Sequence, residues 1–319
     1  MSEKSRVIKA AGVVGAATLL SRILGFLRDA VIAWYFGAGQ YSDAFIAAFR
    51  IPNLLRKLLG EGSISNAFVP VLTDYLTVDG RQEAFHLARS ALWVLSVILV
   101  VISLIGILLS PLIVKIIAPG FIDAPDKLAL TIALTRIMFP YIFFIGLVAL
   151  CMGILNVFGH FAAPAMAPVL LNLAIIFSVL FLCPHLNTPV LGLAIGVLIG
   201  GIVQLMLQLP VLADQGFNFW QRTKIWHPGL KKMIRLMPPV ILGGAVYQIN
   251  VLIGTLLGSF LPEGSVAVLY FADRLVQFPL GIFAIAAATA VLPSLSRQAA
   301  LNDLSALKDT FGYAIRLTL

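Results

Sequence analysis

Nine apolar runs follow one another along this chain, at roughly 7–36, 41–75, 86–118, 128–158, 162–183, 188–212, 229–260, 265–297 and 303–319. Most exceed the ~20 residues an α-helix needs to cross ~30 Å of hydrocarbon. The runs are continuous and not alternating, which argues against a β-barrel. Backbone polar groups in hydrocarbon must be satisfied within each segment, so the pattern predicts an all-α polytopic membrane protein. Composition agrees: the 319 residues are 60% hydrophobic and only 11% charged, with a mean hydropathy of +1.01. A formal charge of +8 would suggest a nucleic-acid partner in a soluble chain. Here it reads as membrane topology, and no nucleic-acid partner is expected.

The N-terminus resembles a signal peptide in outline, with Lys4, Arg6 and Lys9 ahead of "AAGVVGAATLL". Arg22 interrupts the apolar stretch and no small-residue cleavage site follows, so a retained first helix is expected. Cys151 and Cys183 sit in apolar context and fit no metal spacing, which predicts small buried hydrophobes. His86, His160, His185 and His227 fall near segment ends and read as loop or interface residues; no metal site is expected.

Short Gly- and Pro-punctuated links separate the runs: "GAGQYS" (37–42), "APGFIDAPDK" (118–127), "FGHFAAP" (158–164), "CPHLNTP" (183–189) and "LPEGS" (261–265). Basic residues concentrate at the N-terminus and in 213–235, which places both on the cytoplasmic side. An even number of crossings must then separate them. That requires 41–75 to cross despite Asp43, Arg50, Arg56, Lys57, Glu61 and Asp74, with those charges facing protein or water. The expected organisation is an N-terminal lobe of six helices (1–212), a basic cytoplasmic linker (213–228) and the start of a C-terminal lobe (229–319). It amounts to about eight complete transmembrane helices and the start of a ninth.

A shift of 223 residues lays 37–72 over 260–295, matching Ser42 with Ser265, Ala44 with Ala267, Pro70 with Pro293 and Leu72 with Leu295. Identities are few. The plan agrees better: a long helix, a short outside turn, then a charged helix ending near a Pro, as in transporters built from repeated halves. The second half stops after two crossings, so the sequence reads as a fragment of a longer protein.

Charges inside the apolar runs are the main functional signal. A basic side chain at the bilayer centre costs about 2.5–3.5 kcal/mol on insertion scales and usually faces a bundle interior or a cavity. Arg22, Arg28, Arg56, Lys57 and Arg274 all lie at such positions, with Asp29, Asp43, Glu61 and Asp273 as acidic counterparts. Local pairing or snorkelling would account for any one arginine. For Arg22, Arg28, Arg56 and Arg274 together, a cavity that receives an anion is the stronger reading. Arginine stays charged in a dry site and offers forked hydrogen bonds to phosphate oxygens, which suits a diphosphate. Arg22 and Asp29 share a helix face with Gly25 between them, and Gly25 permits close approach to the backbone. "GEGS" (60–63) is expected to loosen the second helix just past Arg56 and Lys57.

At these residues the chain resembles the MurJ/MviN family, the lipid II flippases of the MOP exporter superfamily. The likeness lies in "SRILGFLRDAVIAWYFGAG" (21–39), "SDAFIAAFRIPNLLRKLLGEGSISNAFVPVL" (42–72), "APGF" (118–121), "FPYI" (139–142), "GILN" (153–156), "APVLLN" (167–172) and "YFADRLVQFPLGIFAIAAATAVLPSLS" (270–296). It implies a two-lobed, V-shaped helical bundle around a cationic cavity. The family's cavity arginines fall on Arg22, Arg28, Arg56 and Arg274. Ser21, Gly25, Asp29, Asp43, Glu61, Ser265, Asp273 and Gln277 are the expected cavity or gating supports. Where many members carry a glutamate in "DRLxEFP", this chain has Gln277, which puts in doubt any scheme that titrates a carboxylate there.

The resemblance implies a flippase moving lipid II, an undecaprenyl-diphosphate-linked peptidoglycan precursor, across the bacterial inner membrane by alternating access. A monomer with a cytoplasmic N-terminus is expected, with membrane lipids and cell-wall synthesis proteins as neighbours. No cofactor is expected. Sodium, protons or the membrane potential would supply the drive, with no residue assigned to it. The alternatives are a polysaccharide-lipid or other MOP-type exporter and, from a different class, a polyprenyl-diphosphate phosphatase with Glu61 or Asp43 as base. The phosphatase lacks any clustered nucleophile and base.

Overall fold

The computed structural model describes residues 3–58, 64–221, 225–279, 291, 295, 298 and 303–318. Eleven α-helices lie within them: α1 (Glu3–Phe36), α2 (Gln40–Leu58), α3 (Ile64–Val78), α4 (Arg81–Ile117), α5 (Pro125–Met138), α6 (Tyr141–Val157), α7 (Ala162–Phe177), α8 (Val190–Asp214), α9 (Pro228–Ser259), α10 (Ser265–Pro279) and α11 (Leu304–Thr318). Five stretches of the described residues are long and apolar enough to cross a membrane: Ala11–Phe36, Arg81–Ile117, Pro125–Val157, Ala162–His185 and Val190–Asp214.

Two expected runs are each built from two helices. The run at 128–158 breaks at Phe139–Pro140. Pro140 has no N–H to offer the preceding turn, and the chain passes the break on tighter bonds, Ile142 N to Phe139 O and Phe143 N to Pro140 O. The run at 41–75 is α2 followed by α3. The loosening expected at 60–63, with Glu61, lies outside the described residues.

Two sets of links mark the ends of the bundle, joined by α4, whose 37 residues reach ~55 Å. At one end, Arg81 at the start of α4 donates to the Gln215 carbonyl and lies over the Phe158 ring. His227 also pairs there with Glu83 at 2.9 Å. At the other end, the link after α4 meets the close of α9, where Gly120 N donates to Ser259 Oγ at 3.0 Å. The 37–42 turn belongs to that second end and Val78 to the first, so α2 and α3 together traverse the bundle.

The chain divides into two compact units, Met1–Val268 and Leu269–Leu319. In the first, α1 packs on α7, α7 and α6 on α8, α2 on α5, and α3 on α6 and α9. Phe68, Leu72, Leu87, Leu150 and Ile154 are fully buried at its centre. Small residues permit the close crossings. A Cβ on Gly106 would fall inside the Phe139 ring, and one on Gly201 would sit 2.7 Å from Tyr141 Cδ2. Both cysteines are buried free thiols. The second unit holds most of α10 and all of α11. Asp303 caps α11 by accepting from Ala306 N at 3.1 Å.

Candidate functional site: a polar seam and a clasp in the first unit

The interrupted face of α1 meets α7. Arg28 donates through Nε and Nη2 to Asp29 Oδ1, at 2.9 and 2.7 Å. Its Nη1 donates to Asn172 Oδ1 at 3.0 Å. Asn172 in turn donates through Nδ2 to the Ser21 carbonyl at 3.0 Å. A Cβ on Gly25 would lie 3.5 Å from Asn172 Nδ2, so the group that approaches this glycine is an α7 side chain. Ser21, Gly25 and Arg28 are spaced i, i+4, i+7 and line one stripe. Asp29 is 5% exposed, and burial of a carboxylate needs this charge-assisted bonding. Asn172 escaped the charge-based reading because it is neutral; its one sequence signal is an amide at the end of "APVLLN", well inside an apolar run.

Arg22 differs from Arg28. It is half-buried and makes no hydrogen bond or ion pair among the described residues. Arg56 donates through Nε to Asn53 Oδ1 at 3.2 Å, one turn back on α2. In the second unit, Arg274 donates to Gln277 Oε1 at 3.2 Å and stacks over Tyr270 at 5.0 Å. Gln277 donates onward to Asp273 Oδ2 at 2.6 Å. An amide serves both neighbours because it accepts from the guanidinium and donates to the carboxylate. A glutamate here would pair with Arg274 but repel Asp273.

The second assembly is a clasp at the α4–α5 end. Asp43 is 1% exposed. Its Oδ2 accepts from Lys127 Nζ at 2.6 Å and from Gly264 N at 2.8 Å. Its Oδ1 accepts from Ala267 N at 2.8 Å. A carboxylate from α2 thus satisfies the first amides of α10, where the helix dipole also favours negative charge. Lys127 is 8% exposed and lies 4.1 Å from the Phe121 ring centroid. Ser265, expected as a gating residue, contributes by position: its neighbours' amides make the bonds, while its own N donates to Pro262 O. Lys127 was missed because it ends a turn, where a lysine ordinarily reads as solvated.

The clasp joins the two repeat-related turns. Gln40 N donates to Glu263 Oε1 at 2.9 Å, and these positions are 223 residues apart, the shift that aligns the halves. Gly264 adopts φ +88°, and a Cβ there would overlap the Ala38 carbonyl. Gly264→Ala is therefore expected to destabilise the chain by about 1–3 kcal/mol, read as a lowered thermal unfolding midpoint in detergent.

The family model for "Lipid II flippase MurJ" matches residues 32–319. The chain belongs to the lipid II flippase MurJ family. A "Probable lipid II flippase MurJ" of Vibrio cholerae is 41% identical over 98% of this chain and 61% of its own length. A "Lipid II flippase MurJ" of Burkholderia cenocepacia is 40% identical over 96% of this chain and 60% of its own length. The chain thus spans about three fifths of these MurJ relatives. Among solved structures, a lipid II flippase MurJ in an inward closed conformation aligns with a TM-score of 0.79 at 28% identity, covering 96% of this chain and 62% of that one. An inward-facing MATE transporter of the MOP superfamily aligns at 0.69 with 19% identity, covering 92% of this chain and 66% of its own, which shows the shared MOP-type fold.

Proposed function

We propose that the protein to which this chain belongs translocates lipid II across the bacterial inner membrane by alternating access. The observation that carries this is the lipid II flippase family match over residues 32–319. The chemistry supports it. Arg22 is a half-buried guanidinium at membrane depth with no protein partner among the described residues, which suits a diphosphate that comes and goes. Arg28 stands two turns on, held in place by Asp29 and Asn172 and so pre-organised at no further entropic cost. Arg56 is the third candidate in the first unit.

On this reading the N-terminus and the 213–228 linker are cytoplasmic, and the Asp43 clasp closes the outer end. Residues 1–212 are the first lobe and 229–319 begin the second. Release of the headgroup outward requires the clasp to part, while its bonds favour the closed form when no substrate is bound. A coupling cation or the membrane potential would bias that equilibrium.

The test is lipid II translocation by the full-length protein in proteoliposomes. Arg22→Ala is expected to lower the rate at least tenfold, about the worth of one charge-assisted contact, and to leave the thermal midpoint unchanged because no protein bond is lost. A normal rate with Arg22→Ala would remove this residue from the site. Arg274→Ala in the same assay tests the corresponding residue of the second unit.

A further inference from the structure

At the Arg81 end of the bundle a groove of about 790 Å³ opens between α4 and the linker that follows α8. Its α4 wall includes Arg89, Trp93, Ser96, Val97, Val100 and Val101, a spacing that keeps these six on one helix face. Trp93, Val97, Val100 and Val101 are each more than 40% exposed, on a helix long and apolar enough to cross a membrane. Lipid is therefore the solvent of this wall. Phe217, Phe219 and Trp220 of the linker line the other side.

Among the described residues, the groove's one charged lining residue is at its linker end. Arg89 is 5% exposed. Its Nη1 reaches the Asn218 carbonyl at 3.5 Å, its Nη2 lies 3.3 Å from His86 Nδ1, and its guanidinium sits 5.8 Å from the Phe217 ring centroid. Its buried Nε donates to no protein acceptor. None of these partners is a carboxylate, and no carboxylate among the described residues pairs with the cation. A buried cation without a counter-ion is costly, and an anion at the groove mouth would offset that cost.

We propose that this groove binds an anionic glycerophospholipid, its phosphate on Arg89 and one acyl chain laid along α4 toward Val101. The dimensions select this occupant. Val101 lies twelve positions beyond Arg89 on the helix, a rise of ~18 Å, close to half of the ~30 Å hydrocarbon core. That length suits an acyl chain of one leaflet, whereas a polyprenyl tail is far longer. Trp220 is almost fully exposed beside the mouth, where aromatic side chains settle at headgroup level. The proposal rests on membrane insertion alone and is independent of the flippase reading.

The experiment uses the purified 319-residue chain in detergent, titrated separately with dioleoyl phosphatidylglycerol and dioleoyl phosphatidylcholine, with binding read by native mass spectrometry and thermal unfolding. Phosphatidylglycerol is expected to bind about tenfold more tightly, the effect of one charge-assisted contact. Arg89→Gln is expected to erase that preference and Arg89→Lys to keep part of it. Val97→Trp fills the groove, leaves Arg89 in place and is expected to weaken both lipids. Equal binding of the two lipids to the unmodified chain would overturn the proposal. So would a preference that survives Arg89→Gln, or phosphatidylglycerol binding that ignores Val97→Trp. Displacement of phosphatidylglycerol by equimolar undecaprenyl phosphate would identify a polyprenyl site instead and also overturn it.

Discussion

Asp43→Ala is expected to lower the unfolding free energy by about 3–5 kcal/mol, the usual effect of breaking a buried ion pair by removing one partner. Lys127, 8% exposed, would lose the carboxylate that accepts its ammonium at 2.6 Å. Gly264 N and Ala267 N would lose their acceptor at the start of α10. Asp43→Asn keeps an acceptor for one amide and loses the charge, so its effect should be intermediate. Asp43→Ala combined with Lys127→Met removes the stranded charge and should restore most of the stability without restoring the tie between turns. That tie can be read separately. Gln40→Cys with Glu263→Cys should cross-link readily in the parent and poorly in either Asp43 variant, and the native cysteines are both buried. An Asp43→Ala protein that melts and cross-links like the parent would show that the clasp does not depend on this carboxylate.

Arg28→Ala is expected to lose both stability and transport, in contrast to Arg22→Ala. The substitution strips Asp29 Oδ1 of two guanidinium bonds and cuts the link to Asn172 on α7. Asp29 is 5% exposed, so the loss in stability should be on the order of 3 kcal/mol. Adding Asp29→Asn to Arg28→Ala neutralises the remaining carboxylate and should recover most of the melting temperature. It supplies no cation, so translocation in the full-length protein should stay low. Recovery of transport along with stability would make Arg28 a purely structural residue, and the diphosphate reading would then rest on its neighbours.

Much of this molecule is legible from residue order. Apolar length predicts the helices, and turn chemistry predicts their ends at 37–42, 118–127, 183–189 and 261–265. The parity of basic clusters predicts that 41–75 crosses the membrane; the structure builds its described residues as two helices, α2 and α3, neither of which is among the described stretches both long and apolar enough to cross alone. The weak repeat at a shift of 223 predicts equivalent turns, and Gln40 and Glu263 are hydrogen-bonded to each other. The break at Pro140 was harder to read, because a proline inside a long apolar run is compatible with either a kink or a fresh start.

What residue order could not supply is which polar groups meet. Arg22 and Arg28 lie six residues apart on one apolar helix, yet Arg28 is bonded to α7 and Arg22 has no protein partner among the described residues. Asn172, Lys127 and Arg89 carry the polar seam, the clasp and the groove, and each is unremarkable in its own segment. The sequence alone determined that this chain crosses a membrane as helices and bears cations at membrane depth, because length, hydropathy and charge are properties of each segment in itself. Only the tertiary structure decided which of those cations are held by carboxylates or amides and which face elsewhere, because a bond such as Arg28 to Asn172 needs side chains 144 residues apart to be brought to 3.0 Å.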